Sequence, residues 1–164
     1  MFKKNKKQSE KDTYLITSPD KKHGKIDFKE VYRHIRTNIE YSTVGKNVKA
    51  INVTSSIPSE SKSTTSLNLA MIYATKYANV LLIDADLRRP TQHHYLKLSN
   101  SRGLTNALIE YGETKKISSK YFQFIEDESF EGKLSVLTAG IKVPNPSELI
   151  SSDIFEEFIN ELMK

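Results

Sequence analysis

Apolar residues in this chain occur in short groups, and the spacing within each group changes along the sequence. Phe28, Val31, Ile35 and Ile39 recur at intervals of three and four, which predicts an amphipathic helix over residues 27–43 with Glu30, Arg33 and Arg36 off the apolar stripe. Ala50 to Thr54 is a short β-branched run and predicts a strand. Leu67, Ala70, Met71, Ala74 and Ala78 return to helical spacing and predict a helix over 62–78. Val80 to Ile83 is continuously apolar, as in a buried parallel strand. Further on, residues 103–112 read as a short helix closed by Gly112, and 133–138 as another strand. Pro144 and Pro146 break the chain, Ser147 has the form of an N-cap, and 147–163 read as one or two helices. Strands alternating with helices point to an α/β fold.

Between the first predicted strand and the second helix lies Ser55-Ser56-Ile57-Pro58-Ser59-Glu60-Ser61-Lys62-Ser63-Thr64-Thr65. It has the frame of a phosphate-binding loop, G-x-x-x-x-G-K-[ST], with Lys62 and Ser63 in place and serine where both glycines belong, at 56 and 61. A loop there sits at a helix N-terminus, whose free N–H groups and dipole favour an anion. The second apolar strand runs into Asp84 and Asp86. Alternate residues of an extended chain face one way, and ligands of open α/β sheets bind beyond the carboxyl ends of the strands. Two hard oxygen ligands beside a lysine and a serine hydroxyl suit a Mg²⁺–nucleotide site. The plainer alternatives are a Ser-rich helix cap and a solvated strand end.

Together, Val53 to Ser56, Pro58 to Thr65, Leu81 to Pro90 and Asn145-Pro146-Ser147-Glu148-Leu149 closely resemble the bacterial tyrosine kinases of capsule and exopolysaccharide synthesis, in their cytoplasmic Gram-positive form. Glu30, Arg33 and Arg36 resemble that family's E-x-x-R-x-x-R oligomerisation helix. The resemblance implies a P-loop NTPase fold, three-layer α/β/α around a mainly parallel sheet, with ATP and Mg²⁺ as cofactors and tyrosine autophosphorylation between subunits of a homo-oligomer. It implies phosphate contacts from Ser59, Glu60, Ser61, Lys62, Ser63 and Thr64. Metal binding falls to Ser63, Asp84 and Asp86, and catalysis to Lys62, Asp84 and Asp86, with Asp84 the better candidate for the metal network. The implied partner is the cytoplasmic tail of a membrane adaptor or polysaccharide co-polymerase, which would hold a cytoplasmic chain at the inner face of the membrane.

Two departures qualify this expectation. Family members read P-G-E-G-K-S-T where this chain reads Pro58-Ser59-Glu60-Ser61-Lys62-Ser63-Thr64. An L-residue forced into the left-handed region costs roughly 1–2 kcal/mol, so nucleotide binding is expected to be impaired. The family's Walker B strand, ending in Asp-Thr-Pro-Pro, has no counterpart before Lys164, and in the family that strand lies beside the P-loop strand at the centre of the sheet, so the domain is expected to be C-terminally shortened, with a short sheet and an exposed edge. The expected function is an ATP-dependent protein-tyrosine kinase of impaired activity. A non-catalytic nucleotide-binding or regulatory partner of polysaccharide assembly is the alternative, followed by a partition-type deviant-Walker ATPase. The last group carries a lysine five residues before the P-loop lysine, where this chain has Ile57.

At 164 residues the chain has the length of one domain. Its 25 Lys and Arg against 20 Asp and Glu are partly a local excess in residues 1–26, read as a basic tail preceding a partial kinase domain over 27–164. A nucleic-acid partner is not expected, since no aromatic residues interleave the basic ones. There is no cysteine and hence no disulfide framework. His93 and His94 are adjacent, lack a third ligand at zinc-site spacing, and are expected on the surface.

Overall fold

The structure is a computed structural model that describes residues 27–57 and 60–164; the predicted basic tail and Ser59 lie outside the described residues. Helix α1 is Phe28–Ser42 and α2 is Lys62–Ala74. Strand β1, Asn79–Ile83, is followed by α3, Gln92–Leu96, and α4, Leu104–Thr114. A short 3-10 turn precedes β2, Gln123–Ile125, and β3, Lys133–Leu137. Helices α5, Pro146–Ile150, and α6, Asp153–Leu162, complete the described chain.

The sheet order is β1-β3-β2, with β1 parallel and β2 antiparallel to the central β3. The expected mainly parallel sheet is therefore mixed. Side-chain alternation divides the core between its faces. Leu82, Leu134 and Val136 pack with Leu67, Met71 and Ala74 of α2. On the other face Leu137 joins Leu104, Leu108, Tyr111 and Phe158 of α4 and α6, with Leu81 and Ile83 against them. Tyr111 meets Phe158 edge-on at 5.4 Å, a favoured aromatic geometry. The outcome is the expected three-layer α/β/α arrangement.

Several boundaries differ from the sequence pattern. Helix α2 ends at Ala74 rather than near 78, where the Thr75 hydroxyl turns back to the Ile72 carbonyl at 2.8 Å. Gly112 does not close α4, which continues to Thr114 and stops at Lys115 in the left-handed region. A Cβ on Gly112 would lie 3.3 Å from Ile154 Cδ1, so a small residue here lets α6 approach. The N-cap position of α5 is Asn145 rather than Ser147, with Pro146 opening the helix; Ser152 caps α6 by accepting from the Phe155 N–H. The largest difference is at 50–54, where no strand forms because no described segment offers those residues a hydrogen-bonding partner.

Gly103 and Gly140 fix the carboxyl end of β3. A side chain at Gly103 would strike the Thr138 carbonyl at 2.1 Å, and this closeness lets the Leu104 N–H bond that oxygen at 2.7 Å. Gly140 has φ +87°, a conformation that favours glycine.

Candidate nucleotide and phosphoryl-transfer site

Residues beyond the carboxyl end of β1 meet the head of α2. Ser61 is the N-cap of α2 at φ 59° and ψ 19°, and its side chain makes no capping bond. A serine thus occupies the left-handed conformation that glycine would adopt without strain, and the first-turn N–H groups are left without a side-chain cap. Lys62 Nζ reaches across to Asp86 Oδ2 at 2.7 Å, in a pair whose side chains are 35% and 24% exposed.

Asp84 is 5% exposed and held by three backbone donors. Its Oδ1 accepts from the Asp86 N–H at 3.2 Å, and its Oδ2 from the N–H groups of Thr91 and Gln92, each at 3.1 Å. Burial pushes its pKa above the usual carboxylate value, the three N–H bonds oppose that, and the charge of Asp86 adds to the rise. For Asp86, partial burial also pushes upward, but the Lys62 ammonium and the N–H groups of Arg89 and Arg88 prevail and hold its pKa low.

The side chain of Gln92 had no signal in the sequence pattern, yet it joins the two halves of the site. Its N–H caps one Asp84 oxygen, while its amide Nε2 donates to the Ser63 carbonyl at 2.9 Å and the Ser66 hydroxyl at 3.1 Å. At 3% exposure this link between α3 and α2 is shielded from solvent. Gln92 ends the Arg-Arg-Pro-Thr-Gln run that follows Asp86 and Leu87. There Arg88 also donates to the Ser147 hydroxyl at 2.7 Å, bringing the Asn-Pro-Ser-Glu segment to the site. His93 is half-buried rather than fully on the surface, and burial together with neighbouring His94 lowers its pKa.

Lys62, Ser63, Asp84 and Asp86 line one cleft of about 1630 Å³. Glu60, Ser61 and Thr64 are not among the residues that line it; the Glu60 carboxylate accepts from the Ile57 N–H at 3.4 Å. The donor set suits a Mg²⁺–nucleotide, with uncapped helix N–H groups and a lysine for phosphate and a hydroxyl and two carboxylates for the metal. Among the described residues no cluster of three or more His, Asp or Glu suggests a different metal centre.

The predicted oligomerisation residues part company on α1. Arg33 pairs with Glu30 at 3.2 Å on the exposed side of the helix. Arg36 turns inward, donating to the Ile72 carbonyl at 2.8 Å and lying 3.7 Å from Glu40. Glu40 in turn accepts from Lys76 at 2.7 Å and from the Tyr77 hydroxyl at 3.1 Å. This polar cluster fastens α1 to the far end of α2.

The chain is 46% identical to tyrosine-protein kinase YwqD of Bacillus subtilis over 132 residues, covering 80% of this chain and 52% of that protein. With the putative tyrosine-protein kinase CapB of Staphylococcus aureus it shares 39% identity over 139 residues, or 85% of this chain and 58% of CapB. The chimerical protein CapA2B2 superposes with a TM-score of 0.66 at 33% identity, over 87% of this chain and 59% of that one. The kinase domain of Escherichia coli tyrosine kinase ETK gives 0.63 at 30% identity, over 82% and 50%. No protein-family profile matches the chain. In fold this is an α/β domain of the P-loop NTPase type. The chain belongs to the bacterial tyrosine-kinase family and spans about half the length of the curated relatives it matches.

Proposed function

We propose that the chain binds ATP with Mg²⁺ at the head of α2 and takes part in phosphoryl transfer to tyrosine in capsule or exopolysaccharide synthesis. The observation that carries this reading is the convergence of Lys62, Ser63, Asp84 and Asp86 on one cleft at the junction of β1 and α2. Lys62 and the first-turn N–H groups would hold the phosphates, and Ser63 with Asp84 the metal. Bound Mg²⁺–ATP supplies the phosphoryl group and neutralises its charge. Lys62 exchanges Asp86 for phosphate, which leaves the Asp86 carboxylate free to accept the tyrosine proton. Asp84, fixed by three N–H groups, keeps its orientation while its neighbours change partners.

Residues 27–164 would form the kinase-domain part, and residues 1–26 a basic tail facing an anionic membrane or the cytoplasmic tail of a membrane adaptor. No helix among the described residues is long and apolar enough to cross a membrane, so placement at the inner face would depend on such a partner. The exposed Glu30–Arg33 pair would serve contacts between copies, whereas Arg36 serves its own subunit.

The test is phosphotyrosine formation by the purified chain with Mg²⁺–ATP, lost in Lys62→Ala. A second reading, a nucleotide-binding module without turnover, draws support from the strained Ser61. Saturable ATP binding without phosphotyrosine would select it. Hydrolysis stimulated by DNA or lipid, with no phosphotyrosine, would indicate a partition-type ATPase instead.

A further inference from the structure

The Gln92 side chain, 3% exposed, is satisfied at only one of its two polar atoms. Its nitrogen is fixed by its partners. The Ser63 carbonyl, at 2.9 Å from Nε2, can only accept, and the Ser66 hydroxyl, at 3.1 Å from Nε2, donates its own proton to that same carbonyl at 3.1 Å. Turning the amide over would set oxygen against oxygen, so Oε1 is the atom left over. It is buried and meets no donor among the described residues. A buried acceptor in that condition calls for a donor. Thr91 Oγ1 and His93 Nδ1 are also buried without partners, but of the three residues only Gln92 lines the cleft of Lys62, Ser63, Asp84 and Asp86.

The residues that Gln92 holds are the two assigned to the metal. Its backbone N–H bonds Asp84 Oδ2 at 3.1 Å while its amide bonds the Ser63 carbonyl. Mg²⁺ is octahedral and dehydrates reluctantly, so it keeps several waters whose protons need acceptors. A carboxylate has about four lone-pair sites, and three backbone N–H groups already occupy Asp84. Acceptor capacity at Asp84 is therefore nearly used, whereas Gln92 Oε1 is open. We propose that Gln92 Oε1 accepts a hydrogen bond from the hydration shell of the nucleotide-bound Mg²⁺, which makes Gln92 a positioning residue for the metal. Gln92 acts through the ion's water rather than as a ligand, and as a neutral amide it orients that water without altering the charge of the site. The role belongs to a cleft that takes Mg²⁺–ATP, the reading on which this assignment rests.

The full chain is titrated with a non-hydrolysable ATP analogue, once with Mg²⁺ and once with a chelator, and the Mg²⁺ increment is the ratio of the two dissociation constants. Gln92→Met keeps the side-chain length and removes both polar atoms. It should lower the increment about tenfold or more, the usual cost of losing a group that orients a metal's surroundings, and change the affinity without Mg²⁺ by less than about twofold. Gln92→Glu keeps an oxygen at the acceptor position and should retain the parent's increment. A residue that only held α3 against α2 would weaken binding equally with and without Mg²⁺, and an unchanged increment in Gln92→Met would overturn the proposal. So would an equal loss of increment in Gln92→Met and Gln92→Glu. Independently of any variant's folding, the Gln92 side-chain amide resonances of the parent should shift when Mg²⁺ is added to the nucleotide complex; resonances that stay in place would refute the assignment. A parent that binds no analogue, or binds it with no Mg²⁺ increment, would overturn the Mg²⁺–ATP reading and this role with it, a failure seen before any variant is made.

Discussion

Lys62 Nζ stands 2.7 Å from Asp86 Oδ2, so the phosphate-site lysine is already charge-paired with a carboxylate of the same cleft. Ligand binding therefore requires an exchange of partners. Because both side chains are partly exposed, the pair contributes only about 0.2–1 kcal/mol to folding. Lys62→Ala should accordingly leave the unfolding midpoint nearly unchanged while weakening ATP binding about tenfold or more. Calorimetric titration beside urea unfolding separates the two effects, and an equal loss in both would contradict the assignment.

Ser61 at φ 59° predicts a gain on restoring glycine. Ser61→Gly should stabilise the fold by up to about 1–2 kcal/mol, the cost of the left-handed conformation for an L-residue, and should tighten nucleotide binding. Ser61→Val should do the reverse. Urea midpoints and nucleotide titrations of the pair of variants read both effects, and no difference between them would refute the strain argument.

Asp84 and Asp86 predict opposite pH dependences. The Asp86 pKa is lowered on folding, so its stabilising contribution is present above the unfolded value of about 3.9 and disappears as pH falls through the lower folded value. The Asp84 pKa is raised, so its contribution is full below about 3.9 and is lost as pH rises through the higher folded value. Unfolding free energies of Asp86→Asn and the parent should converge in acid. Asp84→Asn should remove the part of the parent's pH slope that lies above the unfolded value.

Arg36 and Arg33 share a sequence motif but should respond differently to truncation. Arg36 is 16% exposed and bonded to the Ile72 carbonyl, so Arg36→Ala should cost about 1–2 kcal/mol and speed amide exchange in α1. Arg33→Ala removes an exposed pair worth about 0.5 kcal/mol or less and should leave α1 exchange unchanged. Gel filtration of Arg33→Ala then tests subunit contacts without the complication of a loosened helix.

Periodicity located α1, α2, β1 and β3 because each has a marked apolar face or core. The run at 50–54 has the same β-branched character, but strand formation needs a neighbour that the described residues do not supply. Similarly, the loop frame singled out Lys62 and Ser63, and the strand end singled out Asp84 and Asp86. Gln92 escaped notice because a lone glutamine has no periodic or charge signature; its position emerges only when α3 lies against α2. Arg36 shows the converse limit, since a motif gives spacing and not the direction of a side chain.

Placement of β3 between its two neighbours also governs the order of assembly. Its pairing with β2 closes a short loop, whereas Leu82 meets Val136 only after more than fifty intervening positions have been gathered in. Loop-closure entropy therefore delays the parallel β1–β3 contact, while α2–β1 and β2–β3 can form locally. During that delay the faces of Leu82 and Val136 are uncovered, and the nascent chain is most prone to self-association.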